Sequence, residues 1–288
     1  MACNTLASTE ALAGHLDDPA WIVFDCRHDL AQPGAGEQAY AESHIPGARF
    51  LHLDRDLAAP STGHNGRHPL PDPEIFARKL AAAGVNADTQ VVCYDAAGGM
   101  YSARLWWMLR WLGHADAAVL DGGWVRWLAE HRPISPDLPK PLPGNFRPVP
   151  RAIGVDARFI VDHLDDPDMQ IVDARAEDRF RGENETMDPV GGHIPGALNR
   201  FFRNNLDASG RFKPAAELRS EFLQLLGARS ATSVVHQCGS GVSACHNLLA
   251  MEVAQLPGSR LYPGSWSEWC ADPGRPMQRG KGQPVIIT

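Results

Sequence analysis

The stretch VVHQCGSGVSACHNLLAMEV, residues 234–253, predicts a strand, a short loop and a helix in immediate succession. The β-branched run at its start is typical of a buried strand. The apolar residues at its end recur with the spacing of one helix face, namely Leu248, Leu249, Met251 and Val253. The loop between them contains two glycines, which allow the backbone to turn so that several N–H groups converge. We therefore expect an anion-binding loop at the amino end of a helix.

Cys238 lies between the predicted strand and the glycines of this loop. Because unpaired N–H groups and the helix dipole favour negative charge, a thiol at this place is a candidate nucleophilic thiolate. The alternative is a cysteine buried beside a strand-to-helix turn, since free cysteine is among the most buried residue types. The loop alone leaves both interpretations open.

Length and composition limit the possible classes of protein. A chain of 288 residues is long enough for two domains, and 44% hydrophobic with 21% charged residues indicates a soluble globular protein. The formal charge is -7, from 27 basic and 34 acidic residues, and no run of lysine or arginine occurs. Nucleic acid and anionic membranes are therefore not expected as partners.

The sequence also carries information about the compartment. The first residues lack a basic region followed by an apolar run, and no segment approaches the ~20 apolar residues that a membrane span needs. The six cysteines are scattered along the chain, which does not resemble a disulfide framework: Cys3, Cys26, Cys93, Cys238, Cys245 and Cys270. We therefore expect a cytoplasmic protein.

The chain contains an internal repeat. WIVFDCRHDLAQPGAGEQAYAESHIPGARFLHL at 21–53 matches QIVDARAEDRFRGENETMDPVGGHIPGALNRFF at 170–202, and TQVVCYDAAGGMYSARLWWML at 89–109 matches TSVVHQCGSGVSACHNLLAM at 232–251. The period is far longer than the 20–50 residues typical of solenoids, so it indicates duplicated domains. We predict an N-terminal domain at 1–133, a proline-rich linker at 134–151 and a C-terminal domain at 152–288.

Each copy alternates short β-rich runs with helix-like segments. This alternation predicts an α/β fold in which each domain is a mostly parallel sheet with helices on both faces. Ligands of such sheets bind beyond the carboxyl ends of the strands, where Cys238 is placed. Asp95 occupies the corresponding position in the first copy. We therefore expect the N-terminal domain to be inactive and the chemistry to belong to the second copy.

At this point the residues resemble the rhodanese family. YAESHIPGARFL at 40–51, YPGSWSEW at 262–269 and the loop CGSGVSA resemble its two signatures and its active-site turn, and the resemblance covers nearly the whole chain. It implies two tandem rhodanese-like domains and sulfurtransferase activity. The loop typically reads Cys-Arg-Lys-Gly-Val-Thr in members that use thiosulfate and Cys-Gly-Ser-Gly-Val-Thr in those that use 3-mercaptopyruvate.

The loop CGSGVS of this chain therefore implies 3-mercaptopyruvate as the sulfur donor. The resemblance implies a persulfide on Cys238 and transfer of sulfur to thioredoxin, a small thiol or cyanide, without a metal or organic cofactor. Two alternatives stay open, which are a thiosulfate:cyanide sulfurtransferase and a non-catalytic persulfide-binding or regulatory module. A cysteine phosphatase is excluded, because its loop requires an arginine six residues after the cysteine, where this chain has Ala244.

The resemblance also implies the residues of the site. The implied catalytic residues are Cys238 and a triad of Ser240, His68 and Asp54. Asp56 is the alternative to Asp54 as the aspartate of the triad. Its substrate-binding residues are Arg179 and the loop residues Gly239, Gly241, Val242 and Ser243.

The family's second substrate arginine does not carry over, because position 188 is an aspartate. Arg181 or the backbone of the loop could hold the carboxylate of the donor in place of that arginine. A metal site formed by the cysteines and histidines around the loop lacks zinc-like spacing. Two Asp-x-Arg pairs recur in both copies and are therefore expected to be structural, Asp25 with Arg27 and Asp173 with Arg175.

Overall fold

The computed structural model describes residues 3–280 and the backbone of residues 283 and 284. These residues form two compact units. The first comprises the residues up to Ala59, Leu70–Arg151 and Ala208–Phe212; the second comprises Pro60–Pro69, Ala152–Asp207 and the residues from Lys213 onward. The two units are therefore not continuous in sequence. Segment 60–69 packs with the second unit, and segment 208–212 packs with the first. Segment 60–69 carries His68.

The first unit contains a five-stranded sheet and six helices among its described residues. Its strands are β1 (Leu6–Ala7), β2 (Trp21–Asp25), β3 (Arg49–Phe50), β4 (Gln90–Tyr94) and β5 (Ala117–Leu120). Its helices are α1 (Thr9–Ala13), α2 (Ala35–Glu42), α3 (Leu53–Asp56), α4 (Pro73–Ala82), α5 (Ser102–Trp111) and α6 (Gly123–Ala129). The strand order is β1-β5-β4-β2-β3, and every pairing is parallel.

The second unit repeats the central part of this plan. Its strands are β6 (Gln170–Asp173), β7 (Leu198–Asn199), β8 (Val234–Gln237), β9 (Arg260–Leu261), β10 (Gln278–Arg279) and β11 (Gln283–Pro284). Its helices are α7 (Ala157–Asp162), α8 (Glu177–Arg181), α9 (Ala215–Leu226), α10 (Ala244–Val253) and α11 (Ser265–Trp269), with 3₁₀ turns at Phe202–Asn205 and Ala231–Ser233. The main sheet is parallel with the order β7-β6-β8-β9, and β10 pairs with β11 in an antiparallel ribbon.

The predicted α/β class is confirmed, and burial explains why the apolar runs form the central strands. β4 and β8 are buried along their whole length, as expected for strands covered on both faces. The core of the first unit includes Val23, Val92 and Trp127, and that of the second includes Val235 and Trp269. Each central strand thus delivers its carboxyl end to a loop of the same unit.

The recurring Asp-x-Arg pairs have the same geometry in both units. The Arg27 guanidinium donates to the Asp25 carboxylate and lies 4.5 Å from the ring centroid of Trp124. Arg175 donates to Asp173 in the same way, and its guanidinium lies 4.9 Å from the ring centroid of Trp266. Since both units keep this buried ion pair, it serves the fold of each unit rather than the chemistry of one.

The helices of the described residues are short. None of them is long and apolar enough to cross a bilayer.

Candidate active site

Cys238 directly follows β8, and α11 fixes its backbone. The Cys238 N–H donates to Ser265 Oγ at 3.1 Å, and the Cys238 carbonyl accepts from the Trp266 N–H at 3.0 Å. The thiol-bearing residue is 2% exposed. The start of the loop is therefore held at two backbone atoms before any side chain contributes.

The thiol sulfur accepts a hydrogen bond from its own loop. The Gly241 N–H donates to Cys238 Sγ at 3.1 Å. Gly241 has a φ of +75°, and a Cβ there would collide with the Pro263 carbonyl oxygen. Only glycine allows the chain to turn its N–H toward the sulfur at this position. This donor stabilises negative charge on the sulfur.

The first unit shows what the same loop does with a carboxylate. Asp95 follows β4 and accepts from the N–H groups of Ala97, Gly99, Tyr101 and Ser102 at 2.7–2.9 Å. The Ser102 hydroxyl donates to it as well, at 2.9 Å. The loop geometry therefore gathers N–H donors around an anion, which the first unit supplies from its own chain.

A second difference between the units concerns the residue that holds the loop. Gly123 and Ser265 both have a φ of +53°, and each precedes a tryptophan whose N–H donates to Asp95 or Cys238. A serine in this left-handed region is strained, whereas a glycine is not. Ser265 uses its hydroxyl to accept from the Cys238 N–H and to donate to the Tyr262 carbonyl at 2.9 Å. The site residues predicted from the sequence do not include Ser265, although LDGGWVRW at 120–127 matches YPGSWSEW at 262–269 and aligns it with Gly123.

Ser240 and His68 lie in hydrogen-bonding contact. The Ser240 Oγ and the His68 Nδ1 are 2.7 Å apart, and both residues are 7% exposed. The segment 60–69 brings the histidine to the loop because it packs with the second unit. Two members of the predicted triad are thus in contact. One of them, Ser240, lies two positions after the candidate nucleophile Cys238 in the sequence.

The remaining predicted loop residues are also buried. Val242 and Ser243 end the loop, and their carbonyl oxygens accept from the N–H groups of Cys245 and His246, which belong to α10. These two residues lie at the start of that helix, as the sequence predicts. Their contact with a substrate stays a prediction.

Asp54 and Asp56 belong to the first unit, where their surroundings differ. The Asp54 side chain is 42% exposed and lies 3.9 Å from nitrogen atoms of His28 and His52. Asp56 is an ion-pair partner of Lys79 and accepts from the His52 N–H at 2.7 Å. The contacts of Asp56 are those of a structural residue, and the role of Asp54 in a triad stays a prediction.

His28, His52 and Asp54 are also the described residues whose ligand atoms approach a metal-binding arrangement, all within 4.8 Å of one another. However, the His52 Nδ1 already accepts from the Asp54 N–H at 3.1 Å, so its lone pair is engaged.

Arg179 reaches the loop but is balanced by acids. Its guanidinium donates to Glu185 at 2.7 and 2.9 Å and lies 3.4 Å from an oxygen of Asp188. Burial raises the pKa of Glu185, but the hydrogen bonds and charge of Arg179, together with the N–H groups of Met187 and Asp188, leave it below its usual value. Burial raises the pKa of Asp188, and its ion pair with Arg67 opposes that effect only in part.

Arg67 is not among the site residues predicted from the sequence. It forms an ion pair with Asp188, and its Nη2 lies over Gly239, where a Cβ would be only 2.7 Å away. The signal that points to it is its position directly before His68, together with the acidic residue at 188. Arg181, the replacement considered from sequence, instead pairs with Glu183 at 2.8 Å and Glu177 at 3.3 Å.

The chain is similar to known proteins along nearly its whole length. Residues 8–130 and 156–272 each match the family described as Rhodanese-like domain. A Pseudomonas aeruginosa protein named "Probable 3-mercaptopyruvate sulfurtransferase" is 46% identical over 283 residues, covering 97% of this chain and 100% of that protein. The human 3-mercaptopyruvate sulfurtransferase is 39% identical over 300 residues, covering 98% of this chain and 97% of its own.

Relatives with the other donor in their name, and solved structures, also match. The Bos taurus thiosulfate sulfurtransferase is 35% identical over 262 residues, covering 87% of this chain and 86% of its own. The crystal structure of SseA from Escherichia coli, described as a 3-mercaptopyruvate sulfotransferase, superposes with a TM-score of 0.79 at 31% identity, covering 92% of this chain and 99% of that one.

The chain belongs to the rhodanese family, with two tandem rhodanese-like domains. Its enzyme class follows from the same relatives. It is a sulfurtransferase, which moves sulfur from a donor to an acceptor.

Proposed function

We propose that this sulfurtransferase takes sulfur from 3-mercaptopyruvate, carries it as a persulfide on Cys238 and passes it to a thiol or to cyanide, in the cytoplasm. The observation that carries the proposal is the contact between His68 and Ser240 of the Cys238 loop. A hydroxyl hydrogen-bonded to an imidazole is a proton-transfer device. It is needed for one of the two candidate donors and idle with the other.

The first half-reaction begins with the Cys238 thiolate. The thiolate attacks the thiol sulfur of the donor, a sulfur–sulfur bond forms, and the bond between that sulfur and C3 of the donor breaks. The electron pair of the broken bond stays on the organic fragment as the enolate of pyruvate. The Gly241 N–H, which donates to Sγ, stabilises the anion before attack.

The enolate must then accept a proton at carbon to become pyruvate. Ser240 supplies a polar hydrogen near the reacting sulfur, and His68 replaces it through the hydrogen bond at 2.7 Å. An orienting carboxylate such as Asp54 would favour the imidazole in the required tautomer. General acid assistance of this kind contributes about 10² to 10⁴ in rate.

The second half-reaction regenerates the thiolate. A thiolate or cyanide attacks the outer sulfur of the persulfide, and the electron pair of the sulfur–sulfur bond returns to Cys238. Cyanide leaves as thiocyanate, and a thiol leaves as its own persulfide. No other oxidant or reductant is consumed in either half-reaction.

Thiosulfate is the second candidate donor, because relatives that carry its name also match this chain. Thiosulfate is a dianion whose sulfite leaving group needs no proton. The two guanidiniums at the loop are matched by two carboxylates, Arg67 by Asp188 and Arg179 by Glu185. This balanced charge suits a monoanion better than a dianion.

The experiment compares kcat/KM for both donors on one preparation and determines the protein mass after donor treatment. We expect a preference for 3-mercaptopyruvate and a gain of one sulfur atom that is lost in Cys238→Ser. The control is Cys3→Ser, which removes a partly buried thiol of the first unit. A preference for thiosulfate, or a sulfur adduct that survives in Cys238→Ser, would overturn the proposal.

A further inference from the structure

Position 188 carries the opposite charge from the one that the family resemblance calls for. The Asp188 side chain is only 2% exposed, so it cannot rely on water to balance its charge. It is instead an ion-pair partner of Arg67 and lies 3.4 Å from Arg179. A buried acid here is therefore matched by a cation from a distant part of the chain.

Arg67 is rigidly placed. Its N–H donates to Ser267 Oγ at 3.0 Å, and the Ser267 N–H in turn donates to the Gly239 carbonyl at 2.9 Å. This chain of hydrogen bonds ties the backbone of segment 60–69 to the loop that carries Cys238. The backbone from which the Arg67 side chain extends is therefore held beside the Cys238 loop.

Two guanidiniums converge on one glycine. A Cβ built on Gly239 would lie 2.7 Å from Arg67 Nη2 and 3.6–3.7 Å from the Nη atoms of Arg179. Gly239 is the residue next to Cys238. The absence of a side chain at that glycine thus leaves room for both cations within a few ångströms of the nucleophile's neighbour.

Arg67 has donors beyond its ion pair. Its Nη1 faces Asp188, while its buried Nε has no hydrogen-bond partner among the residues that the structure describes. The side chain is 27% exposed and that of Arg179 is 21% exposed, so both guanidiniums are reachable from solvent. A planar guanidinium with unused donors is suited to binding a carboxylate.

We propose that Arg67 binds the carboxylate of the donor together with Arg179, and that Asp188 positions the Arg67 guanidinium for this task. The proposal rests on the proposed function, because it assumes a donor that carries a carboxylate. The cation that family members are expected to supply from position 188 comes here from position 67.

The experiment measures KM and kcat for 3-mercaptopyruvate in Arg67→Gln. A charge-assisted hydrogen bond to a carboxylate contributes enough binding energy that we expect KM to rise roughly 10- to 100-fold, with kcat changed by less than about threefold. The matched control is Arg181→Gln on α8, whose partners are Glu183 and Glu177. Its KM should stay at the wild-type value.

A charge exchange separates substrate binding from a purely structural ion pair. Arg67→Asp should raise KM, and adding Asp188→Arg should lower it again by returning a guanidinium to the site. An unchanged KM in Arg67→Gln, an equal rise in Arg181→Gln, or no recovery in the charge exchange would each overturn the role of Arg67. A wild-type enzyme that prefers thiosulfate would instead overturn the proposed function, so the two failures are distinguishable.

Discussion

Ser240 Oγ lies 2.7 Å from His68 Nδ1, although 172 positions separate the two residues in the chain. The segment that carries the histidine packs with the second unit, whereas the residues on either side of it in the chain belong to the first unit. Both side chains are buried, so water competes little with their hydrogen bond. This contact is the basis for separating the two candidate donors.

The first prediction follows from that contact. Ser240→Ala and His68→Ala should each lower turnover of 3-mercaptopyruvate by about 10² to 10⁴, because the enolate leaving group loses its proton donor. Turnover of thiosulfate should change much less. The measurement is kcat with each donor, and Ser220→Ala on the exposed side of α9 serves as the control. Equal losses with both donors would contradict the assignment of the pair to proton transfer.

The second prediction distinguishes the two aspartates. Asp54→Asn should lower turnover of 3-mercaptopyruvate by roughly 10-fold or more, because the amide no longer favours the required state of the histidine. Asp56→Asn should leave turnover near the wild-type value and lower the free energy of unfolding by about 1 kcal/mol, since it weakens the contacts with Lys79 and the His52 N–H. Kinetics and urea unfolding on both variants test this. The opposite pattern would make Asp56 the functional residue.

The third prediction concerns the loop of the first unit. Asp95→Ala should lower the free energy of unfolding by about 3 kcal/mol or more, because several buried N–H groups lose their acceptor. Asp29→Ala is the control, since Asp29 is exposed and water can replace its bonds to Ala31 and Gln32. Denaturant unfolding provides the measurement. A loss no larger than that of the control would show that the loop does not need an anion.

The fourth prediction concerns acid stability. Complete burial lowers the pKa of His236 from 6.5 to about 3. Below pH ~6.5 the His236 imidazole therefore becomes protonated in the unfolded chain but stays neutral in the folded chain. Stability is lost as the pH falls from that value toward 3. Between pH 7 and pH 5 this group should cost about 2 kcal/mol.

The variant His236→Leu isolates that contribution, because all other groups titrate equally in both proteins. The free energy of unfolding should fall less between pH 7 and pH 5 in the variant than in the wild type, by about 2 kcal/mol. Urea titrations at the two pH values provide the comparison. Parallel declines in both proteins would rule out His236 as the source.

The sequence by itself determined the parts of this protein that depend on neighbouring residues. Strand β8 and helix α9 follow from local apolar runs, because a buried strand or an amphipathic helix has a fixed hydrophobic pattern. The duplication and the glycine-bearing loop after β8 can likewise be identified from the sequence. Together with the resemblance, they predict the α/β class, the family and Cys238 as the candidate nucleophile.

Only the tertiary structure decided which charges meet at the loop. Arg67 and Asp188 are 121 positions apart, and no periodicity relates them. An ion pair depends on distance through space and on exclusion of water, neither of which local sequence encodes. For the same reason the sequence could propose His68 only by resemblance, and it could treat Asp188 only as a missing arginine. Packing of segment 60–69 with the second unit supplies both the histidine and the replacement cation.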